Sequence, residues 1–345
     1  MPRAFFLCKC IDLHTYSIII YHDWEVTSMK KVFYGIAIIA LAAIFGISTW
    51  KIYSVFAAPK SNAELLGDRA PSFSDTIVST IPSFENKDEE VETETSETES
   101  SVEETEPVVI ITPEMQSVTA WKEINNNVIG CITIQDLNCE PIVQTANQNE
   151  YLRKDILGNY SQAGTLFTSE GSVLGETITT TIFGHSMSSG AMFGKLKDYK
   201  DLDYLKANPT FTVSTENATY NCKIVGVLLP SANYTANGWY YADADLTEEE
   251  FENFRFQVRS RSLFVIEDEF DYDSNYILMS TCSYACDNER LVVVARIMED
   301  GETVNTSNWC KNPVVLRCVE WYAKNGKTQP SWNTLYNNYE SNYNK

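Results

Sequence analysis

From residue 112 onwards the chain alternates short apolar runs with polar turns, at a period that fits strands better than helices. The runs fall at 128–134 (VIGCITI), 139–144 (CEPIVQ), 164–168 (GTLFT), 177–184 (TITTTIFG), 210–215, 219–229, 276–281 and 291–298. Eight short strands with polar turns predict a mainly β fold, a barrel or a sandwich. Two stretches carry helical spacing instead. Thr112-Pro113-Glu114 reads as an N-cap with proline at the first helical position, leading a helix to about Asn126 with Met115, Val118 and Trp121/Ile124 on one side. Between the sixth and seventh runs, Thr247 with Glu250 forms a capping box and Leu246 with Phe251 fits a hydrophobic staple. Phe251, Phe254 and Val258 then recur on one face, so a helix over 247–260 is expected to lie against the sheet. Beyond Gly301, only Asn312-Pro313 to Asn325-Gly326 carries helix start and stop signals.

Upstream, residues 32–50 hold no charge over 19 positions. As a helix this run spans about 28 Å, against a hydrocarbon core of about 30 Å. Its length predicts a retained membrane anchor over a cleaved signal peptide, for which Ala57 and Ala58 offer a site. Lys30 and Lys31 precede it, which places the N-terminus in the cytoplasm and the bulk of the chain outside. Residues 1–28 contain Cys8, Cys10, His14 and His22 without a periodic pattern, and Met29-Lys30-Lys31 reads as a natural start. The expected organisation is a mis-started or cytoplasmic leader at 1–28, an anchor at 29–51, a spacer at 52–111, a catalytic domain at 112–300 and a partly helical extension at 301–345. The spacer, rich in Ser, Thr, Glu and Pro, is expected to be disordered, with a reach of roughly 40–45 Å.

The formal net charge of -21 adds less than it promises. Residues 85–106 alone carry 11 acids against one Lys, a net of -10. The acidity therefore mostly describes the spacer, and no basic patch for nucleic acid is present. Nine cysteines are too few and scattered for a disulfide framework, and no CxxC pair marks a metal site, so neither zinc nor another cofactor is expected. Cys131 with Cys139, and Cys310 with Cys318, either bridge in an oxidising compartment or remain buried thiols.

His185 is the one histidine downstream of residue 50. It closes the run TITTTIFG, at a strand end where a rigid scaffold presents a side chain. Cys282 ends another run, and Arg290 opens the next. A thiolate attacks acyl carbon, a neighbouring cation favours the thiolate, and a histidine can protonate a departing amine. An arginine can meet the oxyanion, so the three make an acyl-transfer set without an aspartate. The bland alternative for Arg290 is a surface pair with Glu289 or Asp287.

The stretch IFGHSMSSGAMFGKLKDY around His185, the STC of LMSTC at Cys282 and the following RLVVVAR resemble the sortases, membrane-anchored cysteine transpeptidases. The resemblance runs over about 113–299 and includes NNNVIGCITI, EPIVQ, EYL and GTLF, while the inserted helix resembles class B. It implies a closed eight-stranded barrel with Cys282 as nucleophile, His185 as acid and base, and Arg290 holding the substrate and its oxyanion. The implied substrates are surface proteins with an NPQTN-like or (S/N)PxTG-like sorting signal, cleaved after Thr. The implied acceptor is an amine of peptidoglycan or of its lipid-linked precursor. The implied location is the cell membrane, single-pass, with the catalytic domain extracellular. Ser280, Thr281 and a tyrosine before the inserted helix, Tyr240 with Tyr234 and Tyr241 as competitors, resemble substrate-contacting positions. A pilin-polymerising or other-class sortase is the alternative within the chemistry, against which stand the missing DPW or DPF lid motif and the inserted helix. A non-catalytic anchored binding domain is the alternative outside it. Leu278 and Met279 stand where the family pattern has Thr and Leu, and Phe183 where Tyr is common. Cys286, four residues after the nucleophile, either pairs reversibly with Cys282 or is a spectator.

Overall fold

The computed structural model describes residues 39–40, 42–49, 61–66, 112–233, 245–268 and 270–343. The chain divides into two compact units, Met1–Ala58 and Pro59–Lys345. In the first, residues 39–40 and 42–49 are helical with exposed side chains such as Ile44 and Phe45. No helix of the described residues is long and apolar enough to cross a membrane. Residues 1–28 lie outside the described residues.

The second unit is built on β1 (Val128–Ile134), β2 (Leu137–Gln144), β3 (Leu166–Thr168), β4 (Thr179–Phe183), β5 (Thr210–Ser214), β6 (Thr219–Leu228), β8 (Tyr276–Cys282) and β9 (Arg290–Ile297). These eight close into a barrel in the order β1-β2-β3-β4-β8-β9-β6-β5. The eight apolar runs thus form the expected strands. Two further short strands, β7 (Phe264–Val265) and β10 (Cys310–Lys311), pair outside the barrel.

Alternation decides which side chains fill it. Ile277, Met279, Ile182, Val213, Ile224 and Val293 point inward to the main core, while Tyr276, Leu278, Val292 and Val294 face outward. That outer face is covered by α4 (Glu248–Arg261), after α1 (Asn62–Leu66), α2 (Pro113–Ile124) and α3 (Leu202–Ala207) in chain order. Helix α4 starts at the Thr247–Glu250 capping box and lays Phe251, Phe254 and Val258 on the outer face, as its periodicity predicts. Each such aromatic burial contributes about 1.5–3 kcal/mol. At the far side Trp121 of α2 is buried and donates its indole N–H to the Cys139 carbonyl at 3.0 Å. Cys139 itself is joined to Cys131 across the β1–β2 hairpin, so this pair bridges.

Two stretches depart from the sequence reading. Within the segment read as spacer, α1 docks on the barrel: Asn62 Nδ2 donates to the buried Glu140 carboxylate at 2.6 Å, and Leu66 joins the Trp121 cluster. A short NAELL segment in a spacer-like run has too little period to announce this. In the extension, Asn312 is buried and donates to the Ser262 carbonyl at 2.9 Å, so the helix begins only at Val319. That helix, α5 (Val319–Asn325), ends at Gly326 with φ +60°, the left-handed cap its sequence signals. A further helix, α6 (Trp332–Tyr343), packs on α4, with Tyr339 against Phe256 and the Arg259 guanidinium 4.4 Å from the Tyr343 ring.

At the barrel end where β8 begins, Asp268 gathers two buried cations, Lys223 at 2.8 Å and Arg296 at 3.0 Å. Glu302 completes the network on Arg296 at 2.6 Å.

Candidate active site

The opposite barrel end collects the expected chemistry. Strand β4 runs parallel to β8 with Phe183 opposite Ser280, and β8 runs antiparallel to β9 with Cys282 opposite Arg290. Directly opposed residues on neighbouring strands share a face, with Cβ atoms about 4.5–5.5 Å apart. Cys282 and Arg290 are such a pair, and both are half-buried. His185 stands two residues beyond Phe183, as Cys282 stands two beyond Ser280. The register between the two strands is carried past the end of β4 by two bonds. The Gly184 N–H donates to the Ser280 carbonyl at 3.2 Å, and the Thr281 hydroxyl donates to the Gly184 carbonyl at 2.7 Å. The three residues therefore sit at the ends of three adjacent strands, with the cysteine strand in the middle.

His185 is held from outside the sheet. Its Nε2 lies 2.9 Å from the Leu152 carbonyl, in the 3₁₀ turn Glu150–Arg153. A carbonyl only accepts, so Nε2 carries the proton and Nδ1 is the nitrogen open to exchange. Burial pushes the imidazole below its usual 6.5; the Leu152 bond opposes this and the Arg153 charge adds to it. Gly164 makes this support feasible. It has φ +66°, and a Cβ there would meet the Tyr151 and Leu152 carbonyl oxygens at 2.7 Å.

Arg290 is anchored by its backbone N–H to the Pro230 carbonyl at 2.9 Å, and its Nη1 donates to the Glu289 carbonyl at 3.3 Å. Its side chain forms no ion pair among the described residues. The Glu289 carboxylate is fully buried and is taken instead by Arg317 at 2.6 Å and by the Ser283 hydroxyl at 2.6 Å. Arg317 did not stand out in the sequence, and Leu152 entered only as part of the EYL stretch, with no role assigned to it. Leu152 acts through its backbone, which no residue type announces, and Arg317 lies in a segment without period. Tyr284, three-quarters exposed, donates to the Ser186 carbonyl at 3.2 Å and ties the loop after Cys282 to the turn after His185.

Of the remaining candidates, Ser280 and Thr281 are both buried, and the Thr281 hydroxyl is engaged with Gly184. Tyr240, with Tyr234 and Tyr241, lies outside the described residues. Two cysteine expectations are corrected. Cys286 faces Cys318 at 3.3 Å, Sγ to Sγ, rather than Cys282, because its side chain turns into the extension. Cys310 consequently does not meet Cys318; it is exposed on β10. Cys286, Glu289 and Cys318 also bring three ligand-type atoms within 4.8 Å of one another, a cluster the sequence spacing hid.

The family model described as sortase domain matches residues 132–298. This segment is similar to sortase domains. It runs from within β1 to the end of β9 and includes His185, Cys282 and Arg290. Sortase B of Listeria monocytogenes is 27% identical over 183 residues, covering 51% of this chain and 72% of the relative. A mutant form of sortase B from Clostridium perfringens shares the fold at a TM-score of 0.50, with 22% identity over 54% of this chain and 89% of that one. The solved Listeria monocytogenes sortase B gives 0.46 at 25% identity, over 51% of this chain and 97% of that one. These relatives are of the B class, and the extension after residue 300 lies beyond the matched segment.

Proposed function

We propose that the chain is a cysteine transpeptidase of the class B sortase kind, which cleaves a sorting signal after Thr and transfers the acyl group to a cell-wall amine. The observation that carries the reading is the register that sets Cys282 opposite Arg290 on β9 and brings His185 to the end of the neighbouring β4. In this reading the Cys282 thiolate attacks the threonine carbonyl carbon, and the oxyanion that forms is met by Arg290. His185 takes the Cys282 thiol proton on Nδ1 as the thiolate forms and delivers it to the departing amine; the peptide bond breaks, and a thioester remains on Cys282. An incoming amine then attacks the thioester; His185 accepts its proton, and the thiolate leaves. The lowered imidazole pKa makes the protonated ring a ready donor to the departing amine.

The substrates in this proposal are proteins bearing NPQTN-like or (S/N)PxTG-like signals, and the acceptor is an amine of peptidoglycan or its lipid-linked precursor. The same proposal includes a membrane anchor at residues 29–51, supported by the uncharged run 32–50 behind Lys30 and Lys31. Fractionation of cells expressing the full chain checks this part, and recovery in the salt-washed soluble fraction would count against it.

Incubating the full chain with peptides of both signal types, with and without an amine acceptor, tests the chemistry by product mass. Cleavage after Thr and a thioacyl adduct on the Cys282 peptide are expected. Arg290→Ala is expected to lower kcat by about 100-fold or more. Undiminished cleavage by Cys282→Ala would overturn the mechanism.

A further inference from the structure

We infer that Cys286 and Cys318 are a modification site: they join in a disulfide that fastens the C-terminal extension to the loop between nucleophile and arginine. The two sulfurs lie 3.3 Å apart, both cysteines are buried, and a bond of about 2.05 Å needs only a small approach. Their neighbours hold them face to face. Arg317, beside Cys318, binds the buried Glu289 at 2.6 Å, and Glu320 accepts from the Ser231 hydroxyl at 2.8 Å. On the next turn of α5, Lys324 donates to the Ala285 carbonyl at 2.6 Å. The extension thus already grips both sides of loop 283–289, and the cysteines sit at the centre of the grip. Another cysteine pair of the same unit, Cys131 and Cys139, is joined by a disulfide.

A metal fits the cluster less well. Glu289 is already engaged by Arg317, Ser283 and the Cys318 thiol, only Cys286 and Cys318 remain to join it, and burial pushes both thiols up, away from the thiolates a metal needs. The oxidant is a low-molecular-weight disulfide. One cysteine thiolate attacks it and releases one small thiol. The second then attacks the mixed disulfide and releases the other, so two protein thiols become one disulfide and one small disulfide becomes two thiols. Because both sulfurs are buried, exchange waits on opening of the extension, and the finished bond is shielded from reductant.

The bond's effect on activity rests on the transpeptidase reading, but its existence does not. In a tryptic digest Cys282 and Cys286 share one peptide, so linkage is mapped on full-length Cys282→Ala, folded in glutathione and its disulfide and blocked with an alkylating agent. The expected product is the Cys318 peptide joined to the Cys286 peptide. Alkylation of both cysteines would overturn the proposal, as would stoichiometric zinc retained after incubation with the metal. In the chain with Cys282 intact, Cys318→Ala is expected to speed backbone amide exchange over 283–289 and lower kcat, with Cys282 alkylation unchanged. Unchanged exchange in that variant would overturn the fastening role, whatever the activity.

Discussion

Arg317, and not Arg290, is the guanidinium that Glu289 binds, at 2.6 Å with the carboxylate wholly buried. The pairing decides what the residue beside the arginine of the site does: it anchors the loop, and Arg290 keeps its head free of any carboxylate among the described residues. Removing Arg317 strands a buried charge, which is strongly destabilising. Arg317→Ala is expected to lose about 3–5 kcal/mol in chemical denaturation. Pairing it with Glu289→Gln should recover part of the loss, whereas equal stability of Arg317→Ala and wild type would contradict the account.

His185 should titrate below 6.5, because burial outweighs its bond to Leu152. The sign for stability follows. The unfolded imidazole takes its proton first, so the stabilisation is complete above pH 6.5 and is lost as pH falls towards the folded value. NMR titration of the imidazole gives the midpoint, and one at or above 6.5 would be inconsistent with a buried ring. His185→Gln should lose less stability than wild type across the same acid window.

Gly164→Ala tests the support behind the histidine without touching the histidine. Its positive φ and the 2.7 Å approach of the Leu152 carbonyl leave no room for a Cβ. The expected cost exceeds about 1 kcal/mol. The His185 midpoint should fall further as the bond that raises it is lost, and an unchanged midpoint would separate Gly164 from the site.

At the other end of the barrel, Asp268 faces both Lys223 and Arg296. Asp268→Asn removes the charge that two buried cations share, and a loss of about 3–5 kcal/mol is expected in chemical denaturation. The Cys282 alkylation rate should change little under native conditions, since the network lies at the end where β8 begins.

The strands were readable because their alternation is a local property that the barrel obeys: Ile277 and Met279 inward, Leu278 outward. Helix α4 was readable for the same reason, with its cap and its Phe251, Phe254 and Val258 stripe intact in the sequence. The site residues were legible as strand ends. Their support was not, because it comes from backbone groups such as the Leu152 carbonyl and from segments without period. For Cys286 the sequence left open a pairing with Cys282 or a spectator role, while the sulfur it faces lies 32 residues on, brought back by α5. The α1 helix was missed because five residues make too short a pattern to weigh against their surroundings.

The parallel pairing of β4 with β8 joins residues such as Gly184 and Thr281 that are 97 positions apart. Contacts of that span carry a loop-closure cost that slows their formation. A chain in which they have not yet formed carries Cys282 with neither its histidine nor a closed sheet beside it. Under the proposed transpeptidase reading, the thiol gains its acid–base partner only once this long-range pairing has closed the sheet between β4 and β8.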